Sequence, residues 1–209
     1  SINSSAISGH SALKNLKIPS QVSSSSGDAF MGHALETITV DARNTNYCTD
    51  SNGVLYSMDM TKLILAPATI SGVFTPAATV TSIGNYAFYG CDNLAAINIP
   101  DSVTTLGEFT FFHNTGLKKI TIPASVTEIG RSCFFGCSGL AEIIVDEDNA
   151  NFSSDASGVL FNKSKTILLK VPAKLAGSYT IPNSVTEIAE NAFDIESSSI
   201  LKTKMDLHY

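Results

Sequence analysis

Three consecutive stretches of this chain start a fixed 23 residues apart and carry the same grid of side chains. Val80, Val103 and Val126 are each followed by an aliphatic residue three positions on (Ile83, Leu106, Ile129) and a phenylalanine eight on (Phe88, Phe111, Phe134). A leucine comes fourteen on (Leu94, Leu117, Leu140), and the grid also fits Val22 with Phe30, and Val185 with Ile188 and Phe193. A period of this length marks a solenoid, because one such unit cannot bury its apolar side alone and must stack on its neighbours.

Each copy predicts the same local path. The pattern L-x-x-I-x-I-P recurs at Leu94, Ile97, Ile99, Pro100 and at Leu117, Ile120, Ile122, Pro123. Its period of two is that of a strand with one face inward, and proline, which cannot donate to a ladder, ends it. Val126 and Ile129 then mark a second, shorter extended piece. Gly84, Gly107 and Gly130 follow at one fixed position, which reads as a corner needing positive φ. The next segment, from Asn85 to Gly90 and its equivalents, is too short for a full helix and reads as a single helical or 3₁₀ turn. Stacking such coils pairs their strands in parallel at about 4.8 Å. Isoleucine then lies on isoleucine and phenylalanine on phenylalanine.

The text IPDSVTTLGEFTFFHNTGLKKITIPASVTEIGRSCFFGCSGL resembles the leucine-rich repeats of the bacterial surface antigen A type, also called the Treponema pallidum type. The resemblance covers most of the chain from Leu13 to Phe193. It implies an α/β fold: a right-handed leucine-rich-repeat solenoid, or horseshoe, with ~23-residue repeats, a parallel sheet and short helical turns. It also implies a protein on or outside the cell surface of host-associated bacteria or some protozoa. The function it implies is adhesion to, or binding of, other macromolecules; the partner expected is a protein or glycan, host-derived ones among them.

Two long repeats sit between the ordinary ones and match each other. A shift of 105 residues lays Val40-Asp41 on Val145-Asp146, Asn44 on Asn149, Asp50 on Asp155, and Gly53-Val54-Leu55-Tyr56 on Gly158-Val159-Leu160-Phe161. Two β-rich runs flank a polar centre, Ser57 to Thr61 or Asn162 to Thr166, which predicts an inserted hairpin protruding from the solenoid. Leu63-Ile64-Leu65 and Ile167-Leu168-Leu169 are expected to rejoin the stack. The organisation expected is one domain over 1–209, with 1–12 an incomplete N-terminal coil. Residues 40–80 and 145–185 are the long repeats, and 194–209 an irregular cap or tail.

Charge and composition limit the partners. With 15% charged residues and a net charge of −6, the chain offers no basic footprint for nucleic acid. No apolar run approaches the roughly 20 residues needed to span a bilayer as a helix. Ser1 onward lacks the charged start and apolar core of an export signal, so such a signal is expected upstream. Asn3-Ser4-Ser5, Asn151-Phe152-Ser153 and Asn162-Lys163-Ser164 are glycosylation triplets, relevant only in a eukaryotic source.

No residue pattern points to chemistry. Cys91 and Cys137 share a position two coils apart, about 10 Å, beyond the roughly 7 Å reach of a disulfide. Both read as buried free thiols, as does Cys133 at a small-residue position, while Cys48 is left open. The acidic run from Asp146 to Asn151 lacks the glycine and bidentate glutamate of a calcium loop. Asp41/Asp146 and Asn44/Asn149 read instead as turn caps. The motifs of serine hydrolases, zinc proteases and phosphate-binding loops do not occur. His33 and His113 fall in turns, and His10 and His208 near the ends. No cofactor, metal or catalytic residue is therefore assigned.

What remains is recognition by a surface, since solenoids bind along extended faces. The outward strand positions selected are Thr37, Thr39, Asn98, Lys118, Lys119, Thr121, Glu142 and Ile144, with Lys118-Lys119 the basic doublet. A purely structural spacer is the alternative reading. An enzyme would require a cleft formed by the inserted hairpins.

Overall fold

The computed structural model describes residues 1–193 and a two-residue strand, Leu207–His208. A regular coil has three sides. On the first, the strands Gly72–Phe74, Leu94–Asn98, Lys119–Ile122 and Glu142–Val145 form a four-stranded parallel sheet. On the second, Ser82–Ile83, Thr105–Leu106 and Glu128–Ile129 pair in parallel. The third side is a chain of turns leading back to the next long strand.

Stacking is in register, as the grid requires. Ile97, Ile120 and Ile143 are successive partners and all buried. Inside the turn side, the Phe88 and Phe111 rings stack at 5.4 Å and 12°, and Phe111 and Phe134 at 5.6 Å and 1°. All three rings are at most 3% exposed.

The turn side differs from the sequence expectation, because no helix forms among the described residues. Tyr86, Phe109 and Ser132 adopt φ of 56°, 52° and 52°, in the left-handed region that ends a right-handed helix. Amide groups alternate in direction. Ala87 and Tyr89 donate back to Gly84 and Tyr86 within the coil, whereas Tyr86, Phe88 and Gly90 donate to Glu108, Thr110 and Phe112 of the next coil. The third side is thus a ladder between coils, and a helix would spend those donors internally.

The repeated glycines also act differently from the corner role expected of them. Gly84, Gly107 and Gly130 are not among the residues with positive φ. Their missing side chains admit the neighbouring coil. A Cβ on Gly107 would lie 2.6 Å from the Asn85 nitrogen, and one on Gly130 2.4 Å from the Glu108 nitrogen. The coil after the second long repeat carries Ala189 at this place. Its counterpart after the first long repeat is Gly84, where the nearest atom to an added Cβ would be 3.2 Å away.

The long repeats do not protrude. Tyr47–Thr49, Leu55–Ser57 and Lys62–Leu65 form an antiparallel meander whose last strand pairs in parallel with Ser82–Ile83, extending the short-strand sheet. Phe152–Ser154, Leu160–Asn162 and Ile167–Lys170 do the same against Glu187–Ile188. Val54, Leu55, Tyr56, Val159, Leu160 and Phe161 are at most 1% exposed, so the meander is wall, not appendage. Sequence reading found its second hairpin and missed the first. The meander is anchored by Asn44 and Asn149, each buried, whose Nδ2 groups donate to Pro19 and Val22, or Pro123 and Val126, carbonyls of the preceding coil. Their Oδ1 atoms accept two amides of the following turn, and Asp41 and Asp146 cap the turn before it.

Residues 1–12 stack on the next coil, with Ile2 and Ile7 amides donating to Ser24 and Ala29. The cap or tail expected over 194–209 lies outside the described residues, except that Leu207–His208 pairs in parallel with Tyr179–Thr180.

One hydroxyl is exchanged between the long repeats. The Asp50 carboxylate, held by the Asn52 and Val54 amides, accepts from Tyr56 at 3.3 Å. Its counterpart Asp155, held by Ser157 and Val159, accepts from Tyr179 at 2.6 Å. Phe161 stands in the place of Tyr56, and Phe74 in the place of Tyr179. Either of two rings serves the same carboxylate.

A second column shows where substitution leaves a deficit. Cys91 and Cys137 donate their thiol protons to the Pro67 and Phe111 carbonyls at 3.6 and 3.0 Å. Asn114, in the coil between, donates to Phe88, but its Oδ1 is buried without a partner. His33 occupies this column too, 3% exposed. Its Nδ1 accepts from the Leu35 amide at 3.1 Å, and its Nε2 is buried without a partner. Burial lowers the His33 pKa to about 4, so the ring is neutral in the fold at neutral pH.

Three outcomes follow, each read by urea denaturation. Tyr56→Phe costs about 1 kcal/mol, and adding Phe74→Tyr restores the loss. Asn114→Cys stabilises by about 1 kcal/mol, because a buried orphan acceptor is removed. Between pH 6.5 and about 4 the unfolded chain takes up a proton at His33 that the folded chain refuses. Stability contributed by the neutral ring therefore falls with acidification, by up to about 1.4 kcal/mol per pH unit across that window. His33→Cys flattens the slope.

Candidate functional site

The four-stranded sheet presents two outward columns. One runs Val73, Ala96, Lys119, Glu142, and the other Asn98, Thr121, Ile144. Thr75 extends the second, since its Oγ1 accepts from Asn98 Nδ2 at 3.0 Å. Alternation puts these side chains outward, as in Lys119–Ile122, where Lys119 and Thr121 are exposed while Ile120 and Ile122 are buried. Val73, 64% exposed, is an aliphatic side chain presented to solvent on a strand.

Of the eight residues selected from sequence, Asn98, Lys119, Thr121, Glu142 and Ile144 come together on this sheet. Lys118 is exposed just before the strand. Thr37 and Thr39 lie apart, on the two-stranded sheet of Asn15–Ile18 and Thr37–Val40. No strand pairing joins Thr37–Val40 to Gly72–Phe74 among the described residues. The first long repeat intervenes, with Gly53 beside Ile38 and Pro67. At the other end the second long repeat caps the edge strand, where the Ile143 amide donates to the Gly158 carbonyl at 3.3 Å.

The columns are partly self-satisfied. Lys119 Nζ meets Glu142 at 3.1 Å with both side chains half exposed. Such a pair contributes about 0–1 kcal/mol. Lys14 and Glu36 pair similarly at 3.0 Å, and Thr37 donates to Asn15.

Sequence reading missed an outer aromatic ladder on the turn side. Tyr86 stacks on Phe109 at 5.1 Å and 7°, Phe112 on Phe135 at 5.1 Å, and the Arg131 guanidinium covers Phe109 at 5.4 Å. The signal was available, since these rings stand two before and one after the core phenylalanines at the same spacing. The rings are half-buried and turn their faces toward one another, so they serve the stack.

Groups with chemical potential are scattered or masked. All four cysteines are free, with Cys91, Cys133 and Cys137 buried and Cys48 partly so. Burial raises the pKa of Cys48, Cys91 and Cys133, keeping the thiols protonated. Among the described residues no group of three or more His, Cys, Asp or Glu side chains is placed to hold a metal ion, and no helix is long and apolar enough to cross a membrane. His113 sits at φ 59° against Phe112 and Phe135, where other coils carry glycine.

A leucine-rich repeat protein from Eubacterium ventriosum shares this fold at a TM-score of 0.63 and 25% identity, over 86% of this chain and 49% of that one. The pneumococcal vaccine antigen PcpA matches at 0.60 and 27%, over 86% and 42%. A leucine rich cell surface protein from Faecalibacterium prausnitzii matches at 0.57 and 23%, over 86% and 57%. The chain thus spans about half the length of these relatives. No curated protein sequence matches it. The model of the BspA type leucine rich repeat region matches in six copies over residues 1–64 and 68–194. That match takes in most of the chain, which therefore belongs to the BspA type leucine-rich repeat family.

Proposed function

We propose that this chain is a non-enzymatic binding segment of a surface or secreted protein, meeting a protein or glycan partner through its four-stranded sheet. The observation that carries the reading is the uncovered pair of columns, with Val73 64% exposed on the edge strand and the Lys119–Glu142 pair beyond Ala96 in the same column. Exposed apolar and charged side chains on one rigid sheet supply both contact area and orientation for a macromolecule. The surface or secreted location draws support from the likeness to the pneumococcal vaccine antigen PcpA. Host glycoproteins and glycans are the partner class to try first.

The spacer reading draws on a different observation, the mutual pairing of Lys119 with Glu142 and of Asn98 with Thr75. A face that satisfies itself needs no ligand.

An array of host proteins and glycans separates the two readings, and a silent array favours the spacer. For a captured partner, reversing Lys118 and Lys119 to Glu weakens binding by about tenfold or more, as expected for lost charge complementarity. Stability changes little, because both lysines are exposed. Unchanged binding places the partner elsewhere on the molecule.

A further inference from the structure

The two long repeats each leave a cleft beside the meander, overlapping in part, with Ser25 to Gly27, Ile64, Gly84 and Asn85 of one answering to Ile129 to Arg131, Leu169, Ala189 and Glu190 of the other, and the contrast between them carries a site. Both arise because a meander replaces a full coil, so the coils before and after it are left unpaired along part of their length. The equivalence is fixed by the anchors: Asn44 bridges to Pro19 and Val22 as Asn149 does to Pro123 and Val126.

The cleft at the second long repeat is smaller and largely apolar. Ile129 and Leu169 line it or stand at its rim, and its volume is about 220 Å³. Arg131 and Glu190 bridge it at 3.6 Å, and Asn191 Nδ2 donates to Ser132 Oγ at 2.9 Å. The cleft at the first long repeat is about 470 Å³ and more polar, with a run of serines from Ser23 to Ser26 on one wall. Ser25 stands where the twin has Ile129, Tyr47 where it has Phe152, Lys62 where it has Ile167, and Asn85 where it has Glu190.

The second cleft is therefore an internal control. The same architecture folds with isoleucine and phenylalanine at these places, so the fold does not demand serine, tyrosine and lysine there. The polar groups satisfy one another only in part: Ser26 and Ser57 donate to Asp28 and Asp59, while other groups of the lining keep free capacity. The hydroxyls of Ser23 and Ser24 have no side-chain partner among the described residues, and Lys62 no ion-pair partner. Ser25 Oγ accepts from Tyr47 at 3.3 Å, which leaves its own proton to donate. Asn85 spends its Oδ1 on the Glu108 amide, leaving Nδ2 available, and Gly27 opposite leaves that amide room. The Lys62 stem crosses Gly84, with Cε 3.6 Å from where a Cβ would stand.

We propose that this cleft binds a saccharide unit bearing an acid group. Serine hydroxyls and carboxamides both donate and accept, as sugar hydroxyls do. Ile64 offers the apolar patch that a ring's C–H face needs. The Lys62 ammonium meets the carboxylate in a charge-assisted hydrogen bond. The volume lies in the roughly 300–1,000 Å³ range of small-ligand clefts. A polyphosphate ligand is a poor fit, because one lysine faces it in a chain of net charge −6.

The test is an amide NMR titration of the chain with sialyllactose, and with lactose as its neutral counterpart. The expected result is shifts confined to Ser23–Ser26, Asn46, Lys62 and Asn85, with sialyllactose bound about tenfold or more tightly than lactose, as one charge-assisted hydrogen bond provides. Lys62→Ile abolishes the preference and Ser25→Ile weakens both sugars. Each substitution installs the twin's own residue, so an unchanged thermal midpoint certifies the fold. Absence of shifts at millimolar sugar, shifts elsewhere, or a preference that survives Lys62→Ile would overturn the proposal. The Lys118 and Lys119 reversal leaves this binding intact, so the cleft and the sheet face fail or succeed separately.

Discussion

Close approach of one coil to the next is the constraint on which this structure depends. Every side of the triangle is a ladder between coils: two of strands and one of turns whose amides alternate between their own coil and the next. A ladder on all sides fixes one spacing, near 4.8 Å, for the whole cross-section. Gly107 and Gly130 show the cost of meeting it, since any Cβ there would fall inside van der Waals contact of the neighbouring backbone. The stacked phenylalanines show the benefit, because rings at one position lie nearly parallel on each other in the buried interior.

The long repeats satisfy the same constraint by another route. Two antiparallel strands substitute for a missing coil on the short side, and buried Asn44 and Asn149 replace the contacts that a regular turn would make. The consequence is twofold. The long-strand platform is cut into a two-stranded and a four-stranded part, and a cleft opens on the opposite wall. A binding surface and a binding cavity are thus both by-products of the same insertion, and the side chains placed there decide whether either is used. The second cleft is bridged by Arg131 and Glu190, while the first is lined by Lys62 and a serine run.

The core was legible from sequence because burial there follows period. Ile97, Ile120 and Ile143, and Phe88, Phe111 and Phe134, recur at one spacing and occupy one place. Five of the eight surface residues chosen by alternation also share one sheet. Thr37 and Thr39 do not, since nothing in their own strand reveals that a loop 15 residues away breaks the sheet beside them. The clefts were invisible for a related reason: Ser25, Tyr47, Lys62 and Asn85 are far apart in sequence and meet only when the meander folds back.

The sequence by itself determined the repeat, the inward ladders, the parallel pairing and the family, because each depends on side-chain type at fixed spacing. Only the tertiary structure decided how the backbone meets that spacing. Whether a glycine serves a left-handed corner or a close contact, whether a polar segment becomes a helix or a turn ladder, and whether an insertion projects or joins the wall all depend on the neighbouring coil. The physical reason is that these choices are set by hydrogen-bond partners and excluded volume contributed from the next rung, about one full repeat away along the chain.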